Sequence, residues 1–148
     1  MAHSYTKLLY HLVFSTTERQ PLITKPLRAP LYDYLGGTVR GLDGVAIEIG
    51  GVADHVHLLV RMPRTIAVDV FLQKLKANSS GWVTRTQAVN FNWQRGFGAF
   101  TVSESQVEKV RRYIQNQEAH HSKVSFEDEF KAMLKAHKVE FDEEYLWR

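Results

Sequence analysis

Two strand-forming stretches, Val45-Ala46-Ile47-Glu48-Ile49-Gly50-Gly51-Val52 and His55-Val56-His57-Leu58-Leu59-Val60-Arg61-Met62, are separated only by Ala53-Asp54. So short a connection implies antiparallel neighbours, because parallel strands need a crossover of a dozen or more residues. This hairpin is flanked on both sides by helix-periodic sequence. Upstream, Thr24 stands as a cap before Leu27, Leu31, Tyr34 and Leu35, and the pattern runs toward Arg40, weakened by Gly36-Gly37. Downstream, Pro63-Arg64-Thr65 opens a long helix carrying Val68, Phe71, Leu72 and Leu75. Residues 5–16, rich in aromatic and β-branched side chains, read as a buried first strand, and residues 98–102 as a fourth. The order β-α-β-β-α-β is the split β-α-β, ferredoxin-like arrangement. The expected fold class is therefore α+β, a ferredoxin-like or RRM-like antiparallel four-stranded sheet with helices packed on one face. Two C-terminal helices are added to it. Ser103 with Gln106 predicts a capping box for a helix running to about residue 120, and Ser125 predicts a cap for a last helix to about residue 137.

At 148 residues, 44% of them hydrophobic, the chain is expected to form a single domain over 1–148. Residues 126–148 form an acidic helical tail, with seven acidic and four basic side chains, against nine acidic and fifteen basic over 1–125. A basic body suits a polyanionic partner. There is no cysteine, so any metal must be held by histidine, carboxylate, amide or water. No basic start precedes an apolar signal core, and no apolar run approaches the ~20 residues that span a bilayer. A cytoplasmic protein without membrane contact is the expectation.

Two spacings point to chemistry. His55 and His57 lie two apart, so in a strand both imidazoles project from one face and can grip a metal. Tyr113 and Gln117 lie four apart, on one face of a helix, and His121 falls on the same face a turn later, near the helix end beyond the metal, as a candidate phosphate contact or substitute ligand. Asp54 reads as a turn residue, and Val56, Leu58 and Val60 as the core side of the strand. Arg111 and Arg112 can hold phosphate. On the long helix Lys74, Lys76, Asn78, Ser79 and Arg85 form a candidate DNA cradle, with Trp82 assigned to the core.

Asp54-His55-Val56-His57 resembles the His-hydrophobe-His signature of the HUH endonucleases, and Tyr113-Ile114-Gln115-Asn116-Gln117-Glu118-Ala119-His120-His121 resembles the catalytic helix of the single-tyrosine transposases, the TnpA-type enzymes of insertion sequences that move as single-stranded DNA. Tyr10-His11-Leu12-Val13-Phe14-Ser15-Thr16, Trp93-Gln94-Arg95-Gly96-Phe97-Gly98-Ala99-Phe100-Thr101-Val102-Ser103, and Phe126-Glu127-Asp128-Glu129-Phe130 with Tyr145-Leu146-Trp147 are also similar to that family, so the likeness spans nearly the whole chain. The resemblance implies that Tyr113 attacks a DNA phosphodiester to form a 5′-phosphotyrosine link and release a 3′-hydroxyl. It implies that His55, His57 and Gln117 hold Mg²⁺ or Mn²⁺, that the partner is single-stranded DNA with hairpins at element ends, and that a homodimer shares its active sites. Strand joining would be the reverse transesterification. No general base is identifiable in the sequence. Two other readings stay open: a domesticated protein that binds hairpin DNA on the same fold, and a non-catalytic RRM-like nucleic-acid-binding module. A histidine-triad hydrolase is disfavoured because Leu59 stands where its third alternating histidine belongs.

Overall fold

The computed structural model describes residues 3–147; Met1, Ala2 and Arg148, which belong to the predicted domain span and tail, lie outside the described residues. The strands are β1 (Leu8–Ser15), β2 (Val45–Gly51), β3 (His55–Met62) and β4 (Gly98–Thr101). The helices are α1 (Lys25–Gly41), α2 (Val68–Gln87), α3 (Val107–Gln115), α4 (Gln117–His121) and α5 (Phe126–Ala136). The strands form one antiparallel sheet in the order β2-β3-β1-β4. The predicted α+β class and strand order of the split β-α-β arrangement are both present.

Alternation along the two central strands divides the sheet into two faces. Leu12 pairs with Leu58, and Phe14 with Val56. These residues and Val60 are buried in the main core with Leu27, Leu31 and Leu35 of α1 and Phe71, Leu72 and Leu75 of α2. Each fully buried aliphatic side chain there contributes roughly 1.5–3 kcal/mol. Trp82, partly buried against the same core, stacks on Tyr34 at 4.8 Å between ring centroids, as its core assignment expected. The intervening residues, His11, Ser15, His55 and His57, face the other way and are also buried.

A register shift between Ala46 and Glu48 changes the phase of β2. It lets both Ala46 and Ile49 pack against the core while Glu48 meets Arg111 and Gln115 of α3. Gly50 is where the helix comes closest, since a Cβ there would lie 2.7 Å from the Ile114 carbonyl oxygen. The second face of the sheet is thus covered by the C-terminal helices.

Three local expectations need correction. Ser103 makes no side-chain cap, its hydroxyl meeting that of Ser105, and a 3₁₀ turn over Glu104–Gln106 precedes α3. The single helix expected to run to about residue 120 is broken at Asn116, whose φ of −96° and ψ of 17° separate α3 from α4. The first strand begins at Leu8 rather than residue 5. Ser125 does cap α5, its hydroxyl accepting from the Asp128 N–H at 3.2 Å.

Candidate active site

The period of two on β3 puts both imidazoles of His55 and His57 on the covered face, each fully buried. The break at Asn116 leaves Tyr113 at the end of α3 and Gln117 at the start of α4, with His121 closing α4. Helix α5 supplies the side chain that joins them. Phe126 stacks on the His55 ring at 4.2 Å, and Arg19 pairs with Glu127 at 2.9 Å. So anchored, the first turn of α5 drives Glu129 into the centre of the cluster, where it is 3% exposed.

Glu129 Oε1 lies 3.0 Å from His121 Nε2, 3.1 Å from His57 Nε2 and 3.2 Å from His55 Nε2. Its Oε2 accepts from Gln117 Nε2 at 3.0 Å and from the Tyr113 hydroxyl. Gln117 Oε1 in turn lies 2.9 Å from His55 Nε2. Behind the rings, Asp54 Oδ1 is 2.7 Å from His55 Nδ1, His11 Nε2 is 2.7 Å from His57 Nδ1, and the Val124 carbonyl is 2.7 Å from His121 Nδ1. Every ring therefore has Nδ1 against a partner and Nε2 turned toward one carboxylate oxygen.

The electrostatics follow from this packing. Burial opposes ionisation of Glu129, but hydrogen bonds from His121, His55 and His57 outweigh it and hold the carboxyl well below its usual range. Burial pushes His57 down to about 4 and His11 down to about 3, so both are neutral at pH 7. Burial also opposes charge on His55, yet its hydrogen bonds to Asp54 and Glu129 raise its pKa. The Tyr113 phenol is raised by burial and by its bond to the Glu129 anion.

His55, His57, His121 and Glu129 each offer a ligand atom, all within 4.8 Å of one another. Three imidazole nitrogens and a carboxylate oxygen converge on one point, a set of lone pairs that a cation can share once the protons between them are displaced. The residues present therefore fit a divalent ion. One expectation changes here. His121, expected beyond the metal and among the DNA contacts, is inside the cluster. Asp54 stands in the turn as expected and also backs His55. Glu129 and His11 were not anticipated as site residues. Glu129 left a sequence signal, a carboxylate on the stripe of α5 that also carries Phe126, Phe130 and Leu134. His11 became visible only once the strand register was known.

The expected DNA cradle is divided. Lys74, Asn78, Arg85 and Arg112 are exposed. Ser79 is buried, its hydroxyl donating to the Leu75 carbonyl and accepting from Trp93 Nε1, which corrects its assignment to DNA. Lys76 Nζ donates to the Gln94 and Gly96 carbonyls, both at 2.6 Å, and Arg111 pairs with Glu48 and Glu108. Helix α2 packs on the sheet face opposite Tyr113. On the tyrosine side an open cleft of about 910 Å³ runs past Tyr113 and Glu129, with Phe100, Lys109, Met133 and His137 in its walls.

Among known proteins, residues 4–117 match the family described as "Transposase IS200 like". No curated protein matches the sequence. Several solved structures share the fold, two of them described as transposases. One is described as a candidate transposase from Deinococcus radiodurans R1, with 22% identity and a TM-score of 0.64, covering 79% of this chain and 95% of that one. The other is a REP-associated tyrosine transposase bound to a REP hairpin, with 16% identity and a TM-score of 0.60, covering 84% of this chain and 74% of that one.

Proposed function

Because the chain belongs to the IS200-like transposase family, we propose that it cuts and rejoins single-stranded DNA with Tyr113 as the nucleophile. The observation that carries this reading is the Tyr113 hydroxyl bonded to Glu129, whose other oxygen sits among three imidazole nitrogens. The phenol oxygen attacks phosphorus, the P–O3′ bond breaks, and a 5′-phosphotyrosine link and a free 3′-hydroxyl result. Rejoining reverses the exchange and conserves the bond energy. The proton the phenol loses as the O–P bond forms is the one the departing O3′ gains, and Glu129 Oε2, hydrogen-bonded to the hydroxyl, is placed to relay it.

His55, His57, His121 and Glu129 would hold the divalent ion, with Gln117 beside them. When bound, that ion supplies charge neutralisation at the scissile phosphate. Three nitrogen donors and one carboxylate suit Mn²⁺ better than Mg²⁺, which prefers an all-oxygen shell. The cleft past Tyr113 would take the cut strand, with Lys109 at its edge for a phosphate. Tyr113 lies beside the histidines of its own chain, so we favour cleavage within one protomer over sites shared in a homodimer. The hairpin held by the REP-associated relative favours hairpin-containing ends as the substrate here. The chain would act as one domain, with α5 of the acidic tail completing the site. Among the described residues no helix is long and apolar enough to cross a membrane.

The test is a covalent-adduct gel. Protein is mixed with 5′- and 3′-labelled single strands from the flanks of its own gene, with Mn²⁺, Mg²⁺ or chelator. A metal-dependent shifted band carrying the downstream fragment, lost in Tyr113→Phe, is expected. An adduct that persists in Tyr113→Phe removes the tyrosine assignment. Hairpin binding with no adduct under any condition selects the domesticated DNA-binding reading.

A further inference from the structure

The three histidines of the cluster differ in what stands behind them. His55 is backed by the Asp54 carboxylate and His121 by the Val124 carbonyl, both oxygens that only accept. His57 is backed by Nε2 of His11, which as a neutral imidazole either donates or accepts, according to its tautomer. His11 is a β1 residue, 6% exposed, whose ring also meets the Tyr113 ring edge-on at 6.0 Å.

We propose that His11 is a positioning residue that changes tautomer with the state of the site, keeping His57 hydrogen-bonded both with and without a divalent ion. This rests on the metal reading of the cluster given above. Without an ion, Glu129 Oε1 at 3.1 Å draws the single proton of neutral His57 to Nε2. Nδ1 of His57 is then bare and must accept, so His11 carries its proton on Nε2 and donates. When His57 Nε2 gives its lone pair to an ion, its proton sits on Nδ1. His11 Nε2 must now accept, and the His11 proton moves to its own Nδ1. Each ring holds one proton before and after, so the net protonation of the pair does not change. A carboxylate in the place of His11 would serve only the loaded state, and an apolar residue neither. A buried nitrogen deprived of its partner is expensive in either state.

The direct measurement is long-range ¹H–¹⁵N correlation of histidine side chains in wild-type protein, first in chelator and then with diamagnetic Zn²⁺ as the probe. The expected result is protonation of His11 and His57 on Nε2 without metal, and of both on Nδ1 with it. A His11 tautomer that stays fixed while the His55 and His121 resonances respond to Zn²⁺ overturns this proposal and leaves the metal site standing. A Zn²⁺ titration that moves no cluster histidine overturns both. Variants give a second readout, Zn²⁺ affinity by calorimetry. His11→Gln, whose amide presents either a carbonyl or an NH₂, should bind within a few-fold of wild type. His11→Leu should bind roughly 10–100-fold more weakly, the loss typical when the partner behind a ligand histidine is removed. Equal affinity of His11→Leu and wild type overturns the proposal, and so does an equal loss in both variants. The wild-type spectra decide the question even if a variant does not fold.

Discussion

On one face of the sheet Leu12, Phe14, Val56, Leu58 and Val60 meet the aliphatic and aromatic side chains of α1 and α2. On the other, alternate residues of the same two strands, His11, Ser15, His55 and His57, lie beneath α3, α4 and α5, which bring Tyr113, Gln117, His121 and Glu129. Both faces are buried, yet they obey different rules. The apolar face tolerates any set of side chains of about the right volume. The polar face holds only while each buried nitrogen and oxygen has a partner, since a half-satisfied network costs more than an apolar one. The fold is therefore secured on one side, and the polar cluster is held on the other at a distance of one strand's thickness. Gly50 links the two, allowing α3 to approach the sheet closely enough for Tyr113 to reach Glu129.

Substitutions on the two faces should separate activity from stability. The largest effect on activity short of removing Tyr113 is expected for His57→Ala, which deletes a cluster nitrogen. Adduct formation should fall by more than the roughly 10–100-fold that loss of a ligand's supporting partner gives, as read from single-turnover rates across a Mn²⁺ titration. Unchanged rates would take His57 out of the chemistry. Leu58→Ala, on the strand's other side, should lower stability by about 2–5 kcal/mol in urea unfolding. Its metal affinity should match wild type wherever the protein is folded, and a selective loss of metal binding would erase the distinction between the faces. Gly50→Ala should act on both, because the added methyl meets the Ile114 carbonyl. A stability cost of about 1–3 kcal/mol is expected, together with slower cleavage at unchanged metal affinity. Cleavage at the wild-type rate would mean that α3 can shift without displacing Tyr113. The smallest effect belongs to Lys74→Ala, exposed on α2 across the sheet from the site. Stability should stay within about 0.5 kcal/mol, and single-turnover cleavage at saturating DNA should not change. A slower chemical step in that variant would bring α2 into the reaction.

Local pattern in the sequence was enough for the order of elements, the bounds of β3, the cap at Ser125 and the opposite orientation of Val56, Leu58 and Val60. These are properties of neighbouring residues, and neighbours are what a sequence displays. The helix break at Asn116 was hidden because the four-residue spacing of Tyr113, Gln117 and His121 runs through it. Ser79 looked like a phosphate ligand because its neighbours are polar, and only the packing of Trp93 against α2 reveals its buried bond. Glu129 meets His57 and His121 through the docking of α5, which depends on Phe126 stacking on His55 and on Arg19 holding Glu127. His11 meets His57 through the register of β1 on β3. Contacts of that kind join segments far apart in the chain, and no local period encodes them.

The central claim is that Tyr113, bonded to Glu129 beside the histidine cluster, forms the covalent link to DNA. Its most direct test is to trap the Mn²⁺-dependent protein–DNA adduct, digest it with protease and nuclease, and locate the modified residue by mass spectrometry. The account predicts a nucleotide joined through its 5′-phosphate to the peptide that contains Tyr113. A nucleotide on any other residue, or a 3′-phosphate linkage to Tyr113, would contradict it.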